Sequence, residues 1–158
     1  MQKILILLLS LFAGGAQASS SVSRHEVEAP IDQVYELLYQ ALESKRLWVV
    51  FEPNLGRSIG GMAERLGENY NRNRLQGIRS LVTCNAWYAN EVSNLDPDML
   101  ALCPLRVSVI HKDGMTRVLF ARPTLHAQES AALPVLEEIE ELVIEAIRSA
   151  VQQAATQS

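Results

Sequence analysis

The segment RVSVIHKDGMTRVLFAR, residues 106–122, carries the reading that decides the fold. Asp113-Gly114 in its middle is the strongest short-range hairpin signal, because both central residues of the favoured two-residue turn need positive φ. A turn there pairs Lys112 with Met115. Val109 then faces Val118, and Val107 faces Phe120, with both pairs on one side of the sheet. Turn chemistry and apolar alternation choose the same register, as they must when one face is buried.

Working outward, strand and helix periods alternate along the chain. SVSRHEVE, Ser21 to Glu28, reads as a strand. APIDQVYELLYQALES follows, with Ile31, Val34, Tyr35, Leu38, Ala41 and Leu42 at helical spacing. Pro30 suits the first turn and Asp32 its positive end. Leu47 to Asn54 reads as a second strand stopped by Pro53. A short helix is expected around Ile59 to Leu66, then a polar loop. Ile78 to Cys84 is a third strand and Asn85 to Leu95 a helix ended by Asp96-Pro97. After the hairpin, LPVLEEIEELVIEAIRSAVQQA forms an amphipathic helix whose stripe is Val135, Leu136, Ile139, Leu142, Val143, Ala146, Ile147 and Ala150. Its polar face is acidic, which argues against an anionic membrane surface. It reads as a helix covering the sheet.

The order β-α-β-(α)-β-α-β-β-α predicts an α+β fold. The simplest architecture is a single mixed or mostly antiparallel sheet with helices packed on one face.

The chain opens MQKILILLLSLFAGGAQASSS. Lys3 supplies a positive n-region, Ile4 to Ala13 an apolar run, and Ala16-Gln17-Ala18 an A-x-A cleavage site. The run is well short of the roughly 20 apolar residues of a membrane span. No cysteine follows it to carry a lipid. Residues 1–18 are therefore expected to be a secretory signal peptide, and 19–158 a single periplasmic or secreted domain with no membrane span. Losing Lys3 takes the formal charge from −4 to −5. A mildly acidic chain is a poor nucleic-acid binder.

Cys84 and Cys103 are the only cysteines, and export would let a disulfide persist. By strand parity Cys84 shares a side with Ile78 and Val82. Cys103 shares one with Leu105, Val107 and Val109 if its strand reaches back that far. Both thiols would then face the apolar side. Parallel neighbouring strands would hold the cysteines roughly 20 Å apart, too far for a bond. Antiparallel strands would bring them to the same end. A bond there would close a loop of about 20 residues, worth roughly 3 kcal/mol in the chain-entropy account. Three readings stay open: a disulfide, two separate buried thiols, or a redox or soft-metal site. No C-x-x-C and no histidine at ligand spacing supports a zinc centre.

The order Thr83-Cys84-Asn85, a helix, Asp96-Pro97, then Leu102-Cys103-Pro104-Leu105-Arg106 before a glycine hairpin resembles the DUF302 family, a domain of unknown function. Glu28-Ala29-Pro30-Ile31-Asp32-Gln33-Val34 before its helix is similar to the family's opening. The resemblance spans about residues 24–150. It implies a compact sheet backed by helices, in a family with exported members, and no reaction. Many members carry Cys-Asn-Pro and a second cysteine just after a later proline. Here Ala86 replaces that first proline and Cys103 precedes Pro104. The recurrence of two cysteines implies that they lie close together. The one-residue shift leaves a bond between them open.

Arg72, Arg74 and Arg79, with Asn85 and Trp87, make a candidate ligand or anion rim, against the plainer reading of a solvated basic loop. Trp87 and Tyr88 read as packing residues unless they are exposed beside Cys84. His25, His111 and His126 are too scattered for a metal site, and Asp96 and Asp98 flank a turn. There is no nucleophile triad, P-loop or dinucleotide motif. No cofactor or metal is expected. The leading expectation is a non-catalytic binding protein of the cell envelope, for a small ligand or a protein partner. A thiol-redox or soft-metal protein using Cys84 and Cys103 comes second; it predicts that the thiols are close together, partly exposed and depressed in pKa. A purely structural interaction module would instead present one exposed apolar patch and no pocket.

Overall fold

A computed structural model describes residues 21–157; the expected leader, residues 1–18, lies outside them. The elements run β1 (Val22–Glu28), α1 (Ile31–Ser44), β2 (Trp48–Phe51), α2 (Leu55–Gly60), α3 (Ala63–Leu66), β3 (Gly77–Cys84), α4 (Ala86–Leu95), β4 (Leu105–Lys112), β5 (Met115–Ala121) and α5 (Leu133–Thr156). The five strands form one sheet in the order β1-β5-β4-β3-β2, and every neighbouring pair is antiparallel. The fold is α+β with a fully antiparallel sheet.

The hairpin has the expected register: Lys112 opposite Met115, Val109 opposite Val118, Val107 opposite Phe120. Asp113 and Gly114 have φ of 52° and 80°, the positive pair that a type I′ turn needs. A side chain at 114 would be strained even though the space around it is open. Gly114→Ala is therefore expected to lower stability by about 1 kcal/mol, read from the urea midpoint. Gly61, with φ −64°, is the control. Alanine there fits the backbone and should leave stability unchanged or raise it slightly. Equal losses at both positions would refute the turn assignment.

α1 and α5 pack side by side on one face of the sheet. Val34, Leu38 and Leu42 of α1 and Leu136, Val143, Ile147 and Ala150 of α5 meet Leu81, Val107, Val109, Val118 and Phe120 of the strands, all fully or almost fully buried. The helical stripes read from the sequence are the ones that close this core.

The alternation in β3 is the reverse of that expected. Leu81, opposite Val107, is fully buried under the helices. Ile78, Ser80 and Val82 lie on the other face. There the Ser80 and Ser108 hydroxyls meet at 3.1 Å. The misleading residue is Arg79, a charged side chain on the helix side of the sheet. Its guanidinium lies 3.4 Å from the Tyr35 ring centroid and bonds Asp32 at 2.8 Å. Cation–π contact and ion pairing make that inward position tolerable. Cys103 lies outside the strand alternation altogether, because β4 begins at Leu105.

β2 is shorter than expected and irregular between Val49 and Phe51. Past it, the Pro53 carbonyl accepts a bond from Ser80 N at 3.0 Å, and α2 lies along the edge of β3. A Cβ on Gly56 would come within 3.3 Å of Ile78 N. The segment therefore blunts the sheet edge. Two short helices replace the single one expected, since the Asn54 side chain accepts a bond from Arg57 N and starts α2 early.

On the edge strand β2, Trp48 and Phe51 are 50% and 64% exposed; they pair with Cys84 and Val82 of β3.

Candidate functional site

β3 ends at Cys84 because Asn85 starts a helix there. The Asn85 Oδ1 accepts bonds from Trp87 N at 2.9 Å and Tyr88 N at 3.3 Å, which satisfies two orphan donors at the start of α4. Its Nδ2 donates to the Arg46 carbonyl at 3.0 Å. That bond ties the start of α4 to the turn before β2. Asn85 is thus a cap and a tie, with both ends of its amide engaged.

On the neighbouring strand, a 3-10 turn over Pro97–Leu102 delivers Cys103. A cis Cys103–Pro104 peptide follows, and Leu105 then pairs with Thr83. The antiparallel arrangement of β3 and β4 brings both cysteines to the same end of the sheet. They line one small apolar cavity together with Leu47, Tyr88, Leu136 and Ile139. Its free space is about 20 Å3, room for one water molecule or one metal ion. Both cysteines are half-buried free thiols. Burial, and then the charge of Cys84, push the Cys103 thiol above its ordinary pKa.

α4 and α5 close over this cavity. The Tyr88 hydroxyl donates to Glu138 Oε1 at 2.5 Å. That hydrogen bond, followed by burial, raises the Tyr88 pKa to about 12. Trp87 packs edge-on against Tyr88, with ring centroids 4.8 Å apart, and is 60% exposed. Its exposure beside Cys84 reverses the expectation that it is a packing residue. Tyr88 is half-buried in the cavity wall.

The candidate rim is not brought together. Asn85 and Trp87 follow the last residue of β3, whereas Arg72 and Arg74 are exposed in the loop before its first residue. The chain there is tied to the β4–β5 hairpin at the opposite end of the sheet, through Gln76 N to the His111 carbonyl and Gln76 Oε1 to Asp113 N. Arg79 is committed to Asp32 and Tyr35.

The histidines stay apart. His25 meets the Ser23 hydroxyl and His111 the Thr116 hydroxyl. Among the described residues no group of three or more His, Cys, Asp or Glu is placed to hold a metal ion. Asp96 caps its turn by accepting from Asp98 N, and it accepts a further bond from the Ser130 hydroxyl at 2.5 Å.

The sequence reading missed two carboxylates on α5. Glu138 is the Tyr88 partner. Glu140 is buried, and it accepts from Arg122 Nε at 2.6 Å and from Thr124 Oγ at 2.7 Å. The signal for Glu140 was present: it falls four residues after Leu136 and three before Val143, inside the apolar stripe.

The DUF302 model, a domain of unknown function, matches residues 23–154. A comparison with curated proteins finds no match. Among solved structures, the chain is similar to an uncharacterised conserved DUF302 protein from Bacillus stearothermophilus. The two share 16% identity with a TM-score of 0.73, over 84% of this chain and 99% of the other. At that identity the likeness speaks for the fold. No helix among the described residues is long and apolar enough to cross a membrane.

Proposed function

The chain belongs to the DUF302 family, and within that frame we propose that it is a non-catalytic binding protein of the cell envelope whose small ligand is held at the Cys84–Cys103 cavity. The observation that carries this reading is the placement of two free thiols on one small apolar cavity, where β3 and β4 end beneath α4 and α5. A free space of about 20 Å3 is far smaller than the pocket of a drug-sized molecule, so the ligand is of the size of a single ion or water molecule. The raised Cys103 thiol departs from the depressed pKa expected of a thiol-redox or soft-metal pair and weighs against a redox couple, since nucleophilic and redox cysteines are poised as thiolates. Exposed Trp87 at the margin adds an aromatic surface beside the opening.

The reading is tested on protein recovered from the periplasm. Its intact mass is expected to begin at Ser19. Near pH 8.5, the ordinary thiol pKa, iodoacetamide should modify both cysteines of the folded protein, while a polymer-linked maleimide should react only after unfolding. No modification of the folded protein would mean sealed core thiols. A mass two hydrogens short, with alkylation only after reduction, would mean a disulfide staple. Either result would overturn the reading.

A further inference from the structure

We propose that the ligand is a single soft monovalent metal cation of the Cu(I) class, bound in two-coordinate fashion between the sulfurs of Cys84 and Cys103; this rests on the reading of the cavity as the binding site. The inference comes from the match between the donors and the space. Two thiols line a cavity whose free volume suits one ion and whose walls are Leu47, Leu136, Ile139 and the ring of Tyr88. Such walls contribute no imidazole, and the side-chain oxygens of Thr83 and Asn85, which also line the cavity, are engaged elsewhere: the Thr83 hydroxyl donates to the Trp48 carbonyl, and Asn85 Oδ1 accepts from the start of α4. Zinc takes four ligands in a structural site and three plus water in a catalytic one. Among the described residues no third His, Cys, Asp or Glu joins the pair. Thiolates select soft cations, and a d10 monovalent ion is satisfied by two of them. Calcium and magnesium need six or more oxygen ligands, which this cavity does not offer.

Binding is a balanced exchange: Cu(I) and two thiols give one bis-thiolate complex and two protons, with no change of oxidation state. The complex carries one net negative charge in an apolar setting. Cys84 directly precedes Asn85, the cap of the ten-residue helix α4, so the positive end of that helix dipole lies beside the charge. The roof formed by α4 and α5 limits access of water and larger thiols to the ion.

The test is an anaerobic competition between reduced mature protein and bicinchoninate for Cu(I). The expected result is retention of one copper per chain, with copper-edge X-ray absorption reading two sulfur neighbours. Retention should be lost in both Cys84→Ser and Cys103→Ser, each checked for folding by its urea transition. The absorption spectrum of the unaltered protein decides the coordination even where a serine variant does not fold. Copper kept undiminished by folded serine variants would place the metal elsewhere and overturn the proposal. Retention of Zn(II) at the same stoichiometry would overturn the two-coordinate assignment. No copper retention by protein whose thiols both alkylate in the folded state would overturn the cation while leaving the cavity reading intact. No retention with sealed or oxidised thiols would remove both.

Discussion

Phe120→Ala is expected to cost about 3–5 kcal/mol of folding stability, whereas Phe51→Ala should change it by no more than about 0.5 kcal/mol. The two residues are the same side chain on an inner strand and on an edge strand of one sheet. Phe120 is 1% exposed and pairs with Val107 on one side and Ser23 on the other, beneath the helices. Its removal takes apolar area out of the core and leaves a void that close-packed neighbours fill only partly. Phe51 stands 64% exposed on the edge strand β2, so its truncation loses little burial. The urea midpoints of the two variants, measured with unchanged slope, give the comparison. A loss at Phe51 as large as that at Phe120 would mean that β2 is covered in solution.

Glu140→Ala is expected to cost about 3 kcal/mol, near the lower bound for breaking a buried ion pair. The carboxylate is buried on α5. It gathers three donors from the segment after β5: Arg122 Nε, Thr124 N at 3.2 Å and Thr124 Oγ. Alanine leaves the buried Thr124 groups without their acceptor, and each unsatisfied group carries a desolvation cost. The Arg122 side chain is 31% exposed and can turn to water, which keeps the estimate from the top of the range. Glu140→Gln should lose less, about 1–2 kcal/mol, because its amide oxygen can still accept from Thr124. Glu141, one residue on and 58% exposed beside Arg148, is the control; its alanine variant should lie within about 0.5 kcal/mol of the parent. Equal midpoints for the alanine variants at 140 and 141 would show that the buried carboxylate does not anchor α5 to the end of β5.

Both predictions turn on residues that differ in how far the sequence revealed them. Phe120 was legible. Asp113-Gly114 set the turn, the turn set the register, and the register put Phe120 with Val107 on one side. The α1 and α5 stripes were legible for the same reason, since burial of one helix face imposes a period that survives in the residue order. β3 was read on the wrong phase. Its inward position 79 holds an arginine, acceptable only because Tyr35 and Asp32 arrive from another element, and no local pattern announces such partners. Glu140 sat in plain view within a stripe, but the donors that justify it come from the chain after β5.

For the candidate site, the residue order narrowed the choice without making it. Cys84 and Cys103 were identified from composition, and their proximity depended on whether β3 and β4 run parallel or antiparallel. The basic loop and Asn85 looked like parts of one rim because they are near in sequence. An eight-residue strand separates them by its length, since each strand residue advances the chain by about 3.3 Å.

By itself the sequence determined the local periods, the hairpin register, the caps at Asp96 and the α+β class, because these follow from short-range sterics and from one-sided burial. The tertiary structure alone decided the strand order, the phase of β3, the burial of Glu140 and the placing of two half-buried thiols on one cavity beside Tyr88. Each of those depends on partners contributed by distant elements. The energy of a buried polar or reactive group is set by what surrounds it in space.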